Sequence, residues 1–156
     1  MHTILGAGGT IANELVKELT GNHEPFRLVG RNPKPAGSAS ELKRADLTDA
    51  ASVKEAIAGS EIVYLLAGLT YNIKIWQEQW PRIMTNVIEG CKAAKAKLIF
   101  FDNVYSYGLV KGPMTEATPY QPCSKKGEVR AAIANQLLQE TKAGNLQAMI
   151  ARCADF

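Results

Sequence analysis

The sequence predicts a three-layer α/β fold, in which a doubly wound, mostly parallel sheet with strand order 3-2-1-4-5-6 lies between helices. Short apolar runs alternate with longer stretches of helical periodicity along the whole chain. The run at residues 62–66 is continuously apolar, as in a strand buried on both faces of a parallel sheet. A glycine-rich turn joins the first apolar run to the first helical pattern, an arrangement typical of this fold class.

The elements follow from apolar periodicity and from turn residues. Six strands are expected near residues 3–5, 26–30, 42–45, 62–66, 98–101 and 147–151. Four helices are expected. The first runs from the glycine-rich turn to residue 21, and the second from a cap at Thr48 or Asp49 to residue 58. The third, at 82–94, follows a loop that carries Tyr71, Trp76 and Trp80, and the fourth ends at residue 142. The polar segment 31–40 is expected to be a mobile loop.

Composition and charge exclude several classes of protein. The 156 residues are 46% hydrophobic and 21% charged, as in one globular domain that needs no metal or disulfide to hold its core. A formal charge of +3 without a long basic run does not predict nucleic acid as a partner. Every apolar run is far shorter than a membrane-spanning helix, which needs about 18 residues, and no signal peptide is recognisable. With 3 cysteines that lack metal-ligand spacing, we expect reduced thiols in a cytoplasmic protein.

A phosphate-binding turn is predicted after the first strand, where the sequence reads GAGGTIA from residue 6 to residue 12. Glycines let the backbone turn tightly and approach a pyrophosphate. The exposed amides and the positive end of the helix dipole attract the anion. We therefore assign Gly6, Gly8, Gly9, Thr10 and Ile11 to cofactor binding.

The residues after the second and third strands are predicted to bind the rest of the dinucleotide. Arg31 follows the second strand, where a fold that prefers NAD usually has an acidic residue. Its planar guanidinium matches a 2′-phosphate, and Lys34 adds charge, so NADP is the first choice and NAD the second. Asp46 and Leu47 lie where a carboxylate accepts from the adenine amino group and a leucine packs on the ring. The alternative for Asp46 is a helix cap alone.

Several segments of the chain together carry a resemblance to a known family. They are the turn at 6–12, Asp46-Leu47-Thr48-Asp49, Leu66-Ala67-Gly68, Val104-Tyr105-Ser106-Tyr107-Gly108, residues 116–122 and Arg152-Cys153-Ala154-Asp155-Phe156. They resemble the extended or atypical short-chain dehydrogenase/reductase superfamily, and within it the NAD-dependent epimerase/dehydratase family. The resemblance implies a Rossmann sheet that binds the dinucleotide, with Ala67 and Gly68 among the cofactor contacts. It also implies a homodimer, formed through the helix at 82–94 and the helix at 125–142.

The same resemblance implies a smaller C-terminal part that holds the substrate, often a nucleotide sugar. Family members usually continue beyond the Arg-x-x-Asp-Phe stretch with which this sequence ends at Phe156. We therefore expect residues 1–156 to be the dinucleotide-binding domain, without the substrate-binding part.

The resemblance further implies hydride transfer at a nicotinamide, with a tyrosine as general acid or base, a lysine that lowers its pKa, and a serine or threonine that orients the substrate oxygen. Matching the motifs places Asn103 at the serine or threonine position. Cys123 and Gly127 fall at the tyrosine and lysine positions. The chain therefore departs from the family pattern at all three positions.

Substitutes for these groups lie nearby in the sequence, at Tyr105, Tyr120, Lys125 and Lys126. We select Asn103 to hold the substrate oxygen and Tyr105 with Lys126 as the acid/base pair. The alternative is that the tyrosines pack and the lysines are solvated.

Three functions are compatible with these residues. The first is an NAD(P)-dependent oxidoreductase or epimerase/dehydratase that acts by hydride transfer on a sugar nucleotide or another carbonyl or hydroxyl substrate. The second is a redox sensor or regulatory protein, similar to the NmrA-like proteins, that binds NADP(H) without turnover. The third is an interaction module whose glycine-rich turn holds no ligand.

Overall fold

In the computed structural model, which describes residues 1–39 and 41–154, the described residues form a six-stranded sheet with helices on both faces. The strands are β1 (His2–Leu5), β2 (Phe26–Gly30), β3 (Glu41–Arg44), β4 (Ile62–Leu65), β5 (Lys97–Asp102) and β6 (Ala148–Arg152). The helices are α1 (Thr10–Gly21), α2 (Ala50–Ile57), α3 (Ile73–Ala94) and α4 (Lys125–Lys142). Ser40, Asp155 and Phe156, which belong to the predicted loop and to the last of the matching segments, lie outside the described residues.

The sheet has the order β3-β2-β1-β4-β5-β6, and its strand pairings are parallel. The predicted doubly wound Rossmann topology is confirmed. The chain moves from β1 outward to β2 and β3, then returns to β4 on the other side of β1. Because crossovers between parallel strands are right-handed, this reversal puts α1 on one face of the sheet and α2, α3 and α4 on the other.

Alternate residues of the central strands point to opposite faces and build two cores. Ile4 and Leu28 pack with the apolar face of α1. Their neighbours Leu5 and Val29 belong to the larger core, under α2, α3 and α4. This alternation within buried strands explains why both strands carry apolar residues at two consecutive positions.

The start of α3 differs from the sequence prediction. The sequence predicts a loop with Trp76 and Trp80 before a helix at 82–94, but α3 begins at Ile73 and continues through Pro81. Asn72 caps it, because its side-chain oxygen accepts from two amides of the first turn at 2.9 and 3.4 Å. A proline inside a helix costs about 3 kcal/mol, whereas burying an indole of about 200 Å² contributes roughly 5 kcal/mol. Burial of Trp76 and Trp80, which are 6% and 2% exposed, therefore outweighs the proline.

Asp49, one of the two residues predicted to cap α2, performs that role. Its carboxylate accepts from the amide of Ser52 at 2.7 Å. Thr48 instead donates its amide and hydroxyl to Asp46. The strand limits agree with the predicted ones to within one residue at each end.

No helix among the described residues is long and apolar enough to cross a membrane. The same part of the chain contains no group of three histidine, cysteine or acidic side chains placed to hold a metal ion.

Candidate functional site

A cavity of about 640 Å³ opens at the carboxyl ends of β1, β2 and β4, where the order of the strands reverses. Clefts at this point of a doubly wound sheet are the usual place for a ligand. Eight residues predicted to contact the cofactor line the cavity: Gly6, Gly8, Gly9, Arg31, Asp46, Leu47, Ala67 and Gly68. The other two, Thr10 and Ile11, form the start of α1 and are not part of the lining.

Gly6 is required where β1 leaves the sheet. Its φ is +104°, and a Cβ at this position would lie 2.6 Å from the amide nitrogen of Ala67. The amides of Gly6 and Ala7 both donate to the carbonyl of Val29, at 3.0 Å each, which ties the turn to β2. The turn therefore lies directly against the ends of β2 and β4, and no larger residue fits.

The N-terminus of α1 faces this cavity with its amides uncapped by a side chain. The N-cap is Gly9, which makes no side-chain cap hydrogen bond, and the first turn contains no acidic residue. The first amides of a helix carry partial positive charge and need acceptors. Gly8, with a φ of +90°, has open space around its Cα. The turn is thus shaped for a phosphate or pyrophosphate, which supplies those acceptors.

Charged groups occupy the far wall of the cavity. Arg31 is exposed at the end of β2. Asp46 accepts from the amide of Thr48 at 2.9 Å and from its hydroxyl at 2.8 Å. The backbone amide of Thr48 is the main cause that holds the pKa of Asp46 below its ordinary value, and the charge of Arg31 adds to the effect. Asp46 is therefore an ionised group in an Asx turn, while Asp49 caps the helix.

Leu47 is held in the cavity wall from α3. The side-chain amide of Asn86 donates to the carbonyl of Leu47 at 3.0 Å. Leu47 also packs against the larger core. Asn86 was not predicted as a functional residue, because its role depends on the approach of α3 to the loop after β3.

A second cavity, of about 510 Å³, lies beside the N-terminus of α4. It is lined by Tyr71, Ile73, Tyr105, Ser124, Lys125 and Lys126. The structure thus places Tyr105 and Lys126, the selected acid/base pair, on one cavity. The ammonium of Lys126 lies over the ring of Tyr71, 2.8 Å from its centroid, in a cation–π contact.

Asn103 supports the loop that carries Tyr105. Its side-chain oxygen accepts from the amide of Tyr105 at 3.0 Å. Asn103 does not line the second cavity. Tyr120, one of the substitutes considered from the sequence, accepts a hydrogen bond from Arg152 at its hydroxyl oxygen and packs edge-on against Tyr107.

Cys123 and Gly127 stand at the positions matched to the family's usual tyrosine and lysine. Gly127 lies in the first turn of α4, and a Cβ there would come 2.5 Å from the carbonyl oxygen of Tyr105. No side chain fits between this helix and the Tyr105 loop. Cys123 is exposed and precedes Ser124, the N-cap of α4. Cys123 and Gly127 therefore do not form a pair on one face of a helix.

Sequence reasoning missed a buried group of charges at the end of β5. Asp102 receives the Nε–H of Arg130 at 2.7 Å and that of Arg152 at 3.3 Å. We call these three residues the Asp102 cluster. A signal for it was present, because Asp102 continues the inward alternation of Leu98 and Phe100 along β5. Charged residues at core positions of a strand need partners, which only the fold identifies.

Comparison with known proteins agrees with this architecture. A UDP-glucose 4-epimerase of Thermus thermophilus, in complex with NAD, is 20% identical with a TM-score of 0.82, over 97% of this chain and 54% of that one. A short-chain dehydrogenase/reductase superfamily protein from Agrobacterium tumefaciens with bound NAD is 19% identical with a TM-score of 0.83, over 97% and 48%. MoeE5 in complex with UDP-glucuronic acid and NAD is 22% identical with a TM-score of 0.78, over 97% and 52%.

These solved structures establish the fold, and the chain spans about half their length. Among curated proteins, no significant sequence match is found. The family model described as "NAD dependent epimerase/dehydratase family" matches residues 2–156. That match covers nearly the whole chain, including the glycine-rich turn and the loop with Tyr105, and it confirms the resemblance read from the sequence. The chain belongs to the NAD-dependent epimerase/dehydratase family.

Proposed function

We propose that residues 1–156 are the dinucleotide-binding domain of an NAD(P)-dependent epimerase/dehydratase or reductase. The observation that carries this proposal is the cavity at the reversal of strand order, where Gly6 and the uncapped start of α1 meet. Its substrate is proposed to be a sugar nucleotide or another carbonyl or hydroxyl compound. The structural neighbours that bind NAD together with UDP-glucose or UDP-glucuronic acid support this class.

NADP is the proposed cofactor, with NAD as the second choice. The pyrophosphate would be held by the turn around Gly8 and the first amides of α1. Arg31 would pair with the 2′-phosphate, since it is the basic side chain in the cavity lining. Asp46 and Leu47 would bind the adenine. When bound, the nicotinamide ring supplies hydride transfer.

The chain's own residues would handle the proton. Tyr105 is proposed as the group that exchanges a proton with the substrate, and Lys126, one of two lysines on the same cavity, is proposed as its partner cation. Asn103 fixes the position of Tyr105 through its backbone amide. The side-chain amide nitrogen of Asn103 is proposed to hold the substrate oxygen.

Titration with NADPH and NADH, followed by calorimetry or fluorescence, tests the cofactor assignment. We expect NADPH to bind more tightly than NADH. Arg31→Ala should weaken NADPH by about 10-fold to 100-fold, because a charge-assisted hydrogen bond contributes about 1.5–3 kcal/mol, and should leave NADH unchanged. Lys54→Ala is the matched control, since Lys54 is an exposed cation of α2 outside the cavity lining. If neither dinucleotide binds, the proposal fails.

A second candidate function is a redox sensor that binds NADP(H) without turnover. It is favoured by the closed position of Gly127, where the family's usual lysine has no room. Assays with sugar nucleotides, ketones and aldehydes, followed by nicotinamide absorbance, separate the two functions. Turnover supports the enzyme, while tight binding without turnover of any of these substrates supports the sensor.

We also infer a homodimer through α3 and α4, as the family resemblance implies. Sedimentation equilibrium of the chain tests it, and a monomer at all concentrations would contradict it.

A further inference from the structure

Two consecutive lysines, Lys125 and Lys126, line the second cavity, and they differ in their surroundings. Lys126 is half-buried, whereas Lys125 is exposed. The ammonium of Lys126 lies 2.8 Å from the ring centroid of Tyr71 and 5.7 Å from that of Trp76. Among the described residues, Lys125 makes no such contact with an aromatic ring. The two rings therefore restrain Lys126 and leave its neighbour free of this restraint.

The contact with Tyr71 leaves the positive charge of Lys126 unbalanced. A cation is attracted to the face of an aromatic ring by the ring quadrupole, which carries no net charge. Within the described part of the chain, no carboxylate forms an ion pair with Lys126. The ammonium of Lys92, by contrast, pairs with Glu89 at 2.9 Å and with Glu140 at 3.3 Å. Because an ammonium has three N–H donors and a ring covers one side of it, Lys126 retains donors for a group that enters the cavity.

The ring of Tyr71 is fixed by its neighbours, although it is 70% exposed. It packs edge-on against the buried Trp76, with the centroids 5.8 Å apart and the planes at 86°. The indole N–H of Trp76 donates to the carbonyl of Thr70 at 3.1 Å, next to Tyr71 in the chain. Asn72, on the other side of Tyr71, caps α3. A lysine side chain has a flexible four-carbon stem, so the ring restrains the ammonium rather than the reverse.

We propose that Tyr71 is a positioning residue for Lys126, whose ammonium its ring holds at the second cavity with the positive charge unbalanced. This inference rests on the proposed function, in which Tyr105 exchanges a proton with the substrate and Lys126 is its partner cation. Tyr105, Tyr71 and Lys126 line the same cavity. The contact with Tyr71 also gives a physical reason why Lys126, rather than Lys125, is the partner cation.

The position of the ammonium can be measured by NMR without any substrate. Protons above the face of an aromatic ring are shielded. In protein labelled with carbon-13 at the ε carbon of lysine, the ε-methylene protons of Lys126 should therefore resonate upfield of those of exposed lysines. Lys126→Arg removes this signal and so assigns it, and Lys125→Arg assigns the signal of its neighbour.

Replacement of Tyr71 tests whether its ring holds the ammonium. Tyr71→Leu should return the signal of Lys126 toward that of an exposed lysine. Tyr71→Phe keeps the ring and should keep most of the upfield shift. The signal of Lys125 is the internal control and should stay in place in both variants. For any substrate that is turned over, kcat should fall about 2-fold to 5-fold in Tyr71→Leu, the size of one exposed cation–π contact, and should recover in Tyr71→Phe.

A wild-type Lys126 signal among those of the exposed lysines would overturn the proposal, and so would an upfield signal that persists in Tyr71→Leu. Tyr71 is exposed, so the leucine variant should fold. If it does not, wild type and Tyr71→Phe decide. An upfield signal in both supports positioning by the ring, and loss of the shift in Tyr71→Phe contradicts it.

Dinucleotide titration of the wild type keeps the two proposals distinguishable. If the Lys126 signal depends on Tyr71 as expected but neither NADPH nor NADH binds, the positioning of the ammonium stands and the proposed function fails. If a dinucleotide binds and the Lys126 signal does not depend on Tyr71, the proposed function stands and the positioning fails.

Discussion

The two cavities at the carboxyl ends of the strands differ in the groups that form them. The first is made of backbone and small residues at the ends of β1, β2 and β4, with Gly6 fitted against Ala67. The second is lined by side chains from the loops before α3 and after β5 and from the starts of α3 and α4. Trp76 links it to the Asp102 cluster, since Lys126 and Arg130 both lie 5.7 Å from the centroid of its ring. A site made of backbone can be recognised from a few consecutive residues. A site made of distant side chains becomes visible only when the fold brings them together.

We call the second cavity and the neighbouring Asp102 cluster the second region, and the first cavity the first region. The largest loss of stability is expected when the charges of the Asp102 cluster are unbalanced further. Asp102→Asn leaves two buried guanidinium groups without a carboxylate and should destabilise the fold by about 3–5 kcal/mol. Arg130→Met leaves the pair of Asp102 and Arg152, so its cost should be clearly smaller. Urea denaturation at neutral pH measures both. Equal losses would show that the charge count of the cluster does not determine its stability.

Gly6→Ala tests whether the first region depends on backbone contact. The new methyl group would meet the backbone of Ala67, and the φ of +104° disfavours any side chain. We expect a loss of about 2–4 kcal/mol in stability, together with weaker NADPH binding. Gly9→Ala is the matched control for stability, because its Cβ would be 3.6 Å from the nearest atom and its φ is −75°. A Gly9→Ala protein as unstable as Gly6→Ala would contradict the role of close approach.

Removal of a helix cap should cause a smaller loss of stability, of equal size in the two regions. Asp49 accepts from the amide of Ser52 at the start of α2, and Ser124 accepts from the amide of Gly127 at the start of α4. Replacing either cap with alanine should cost about 1 kcal/mol. Thermal denaturation of Asp49→Ala and Ser124→Ala checks this. A much larger loss at Ser124 would indicate that the second region relies on this cap for more than the helix.

The smallest effect concerns the acid titration of the first region. Hydrogen bonds from Thr48 hold the pKa of Asp46 below its ordinary value of 3.8. A carboxylate with a depressed pKa stabilises the fold above its unfolded pKa, and this contribution disappears as the pH falls through the folded pKa. Asp46 is exposed, so the contribution is about 0.5 kcal/mol or less. Asp46→Asn should therefore be slightly less stable than wild type at neutral pH, with the difference vanishing in acid. A constant difference at all pH values would contradict it.

The sequence predicted most of the fold and the first cavity. The positions of the strands followed from apolar runs, and the strand order followed from the fold class that the glycine-rich turn indicates. Eight assigned cofactor residues meet on one cavity. The N-terminal part of α3 was missed because the stretch with Trp76 and Trp80 was assigned to a loop, whereas burial of both indoles against distant residues stabilises a helix there. NADP preference and the roles of Asn103, Tyr105 and Lys126 remain predictions.

Local sequence by itself determined the glycine-rich turn, because the turn needs only a strand, glycines with positive φ and the start of a helix, all within about twelve residues. It also determined the alternation of strands and helices, most clearly at the continuously apolar run 62–66, which is typical of a strand buried on both faces. Tertiary structure alone decided that Asn86 holds Leu47, that Gly127 admits no side chain, and that Asp102 accepts from Arg130 and Arg152. The physical reason is that charge pairing and steric exclusion depend on distances between residues far apart in the chain, and only packing sets those distances.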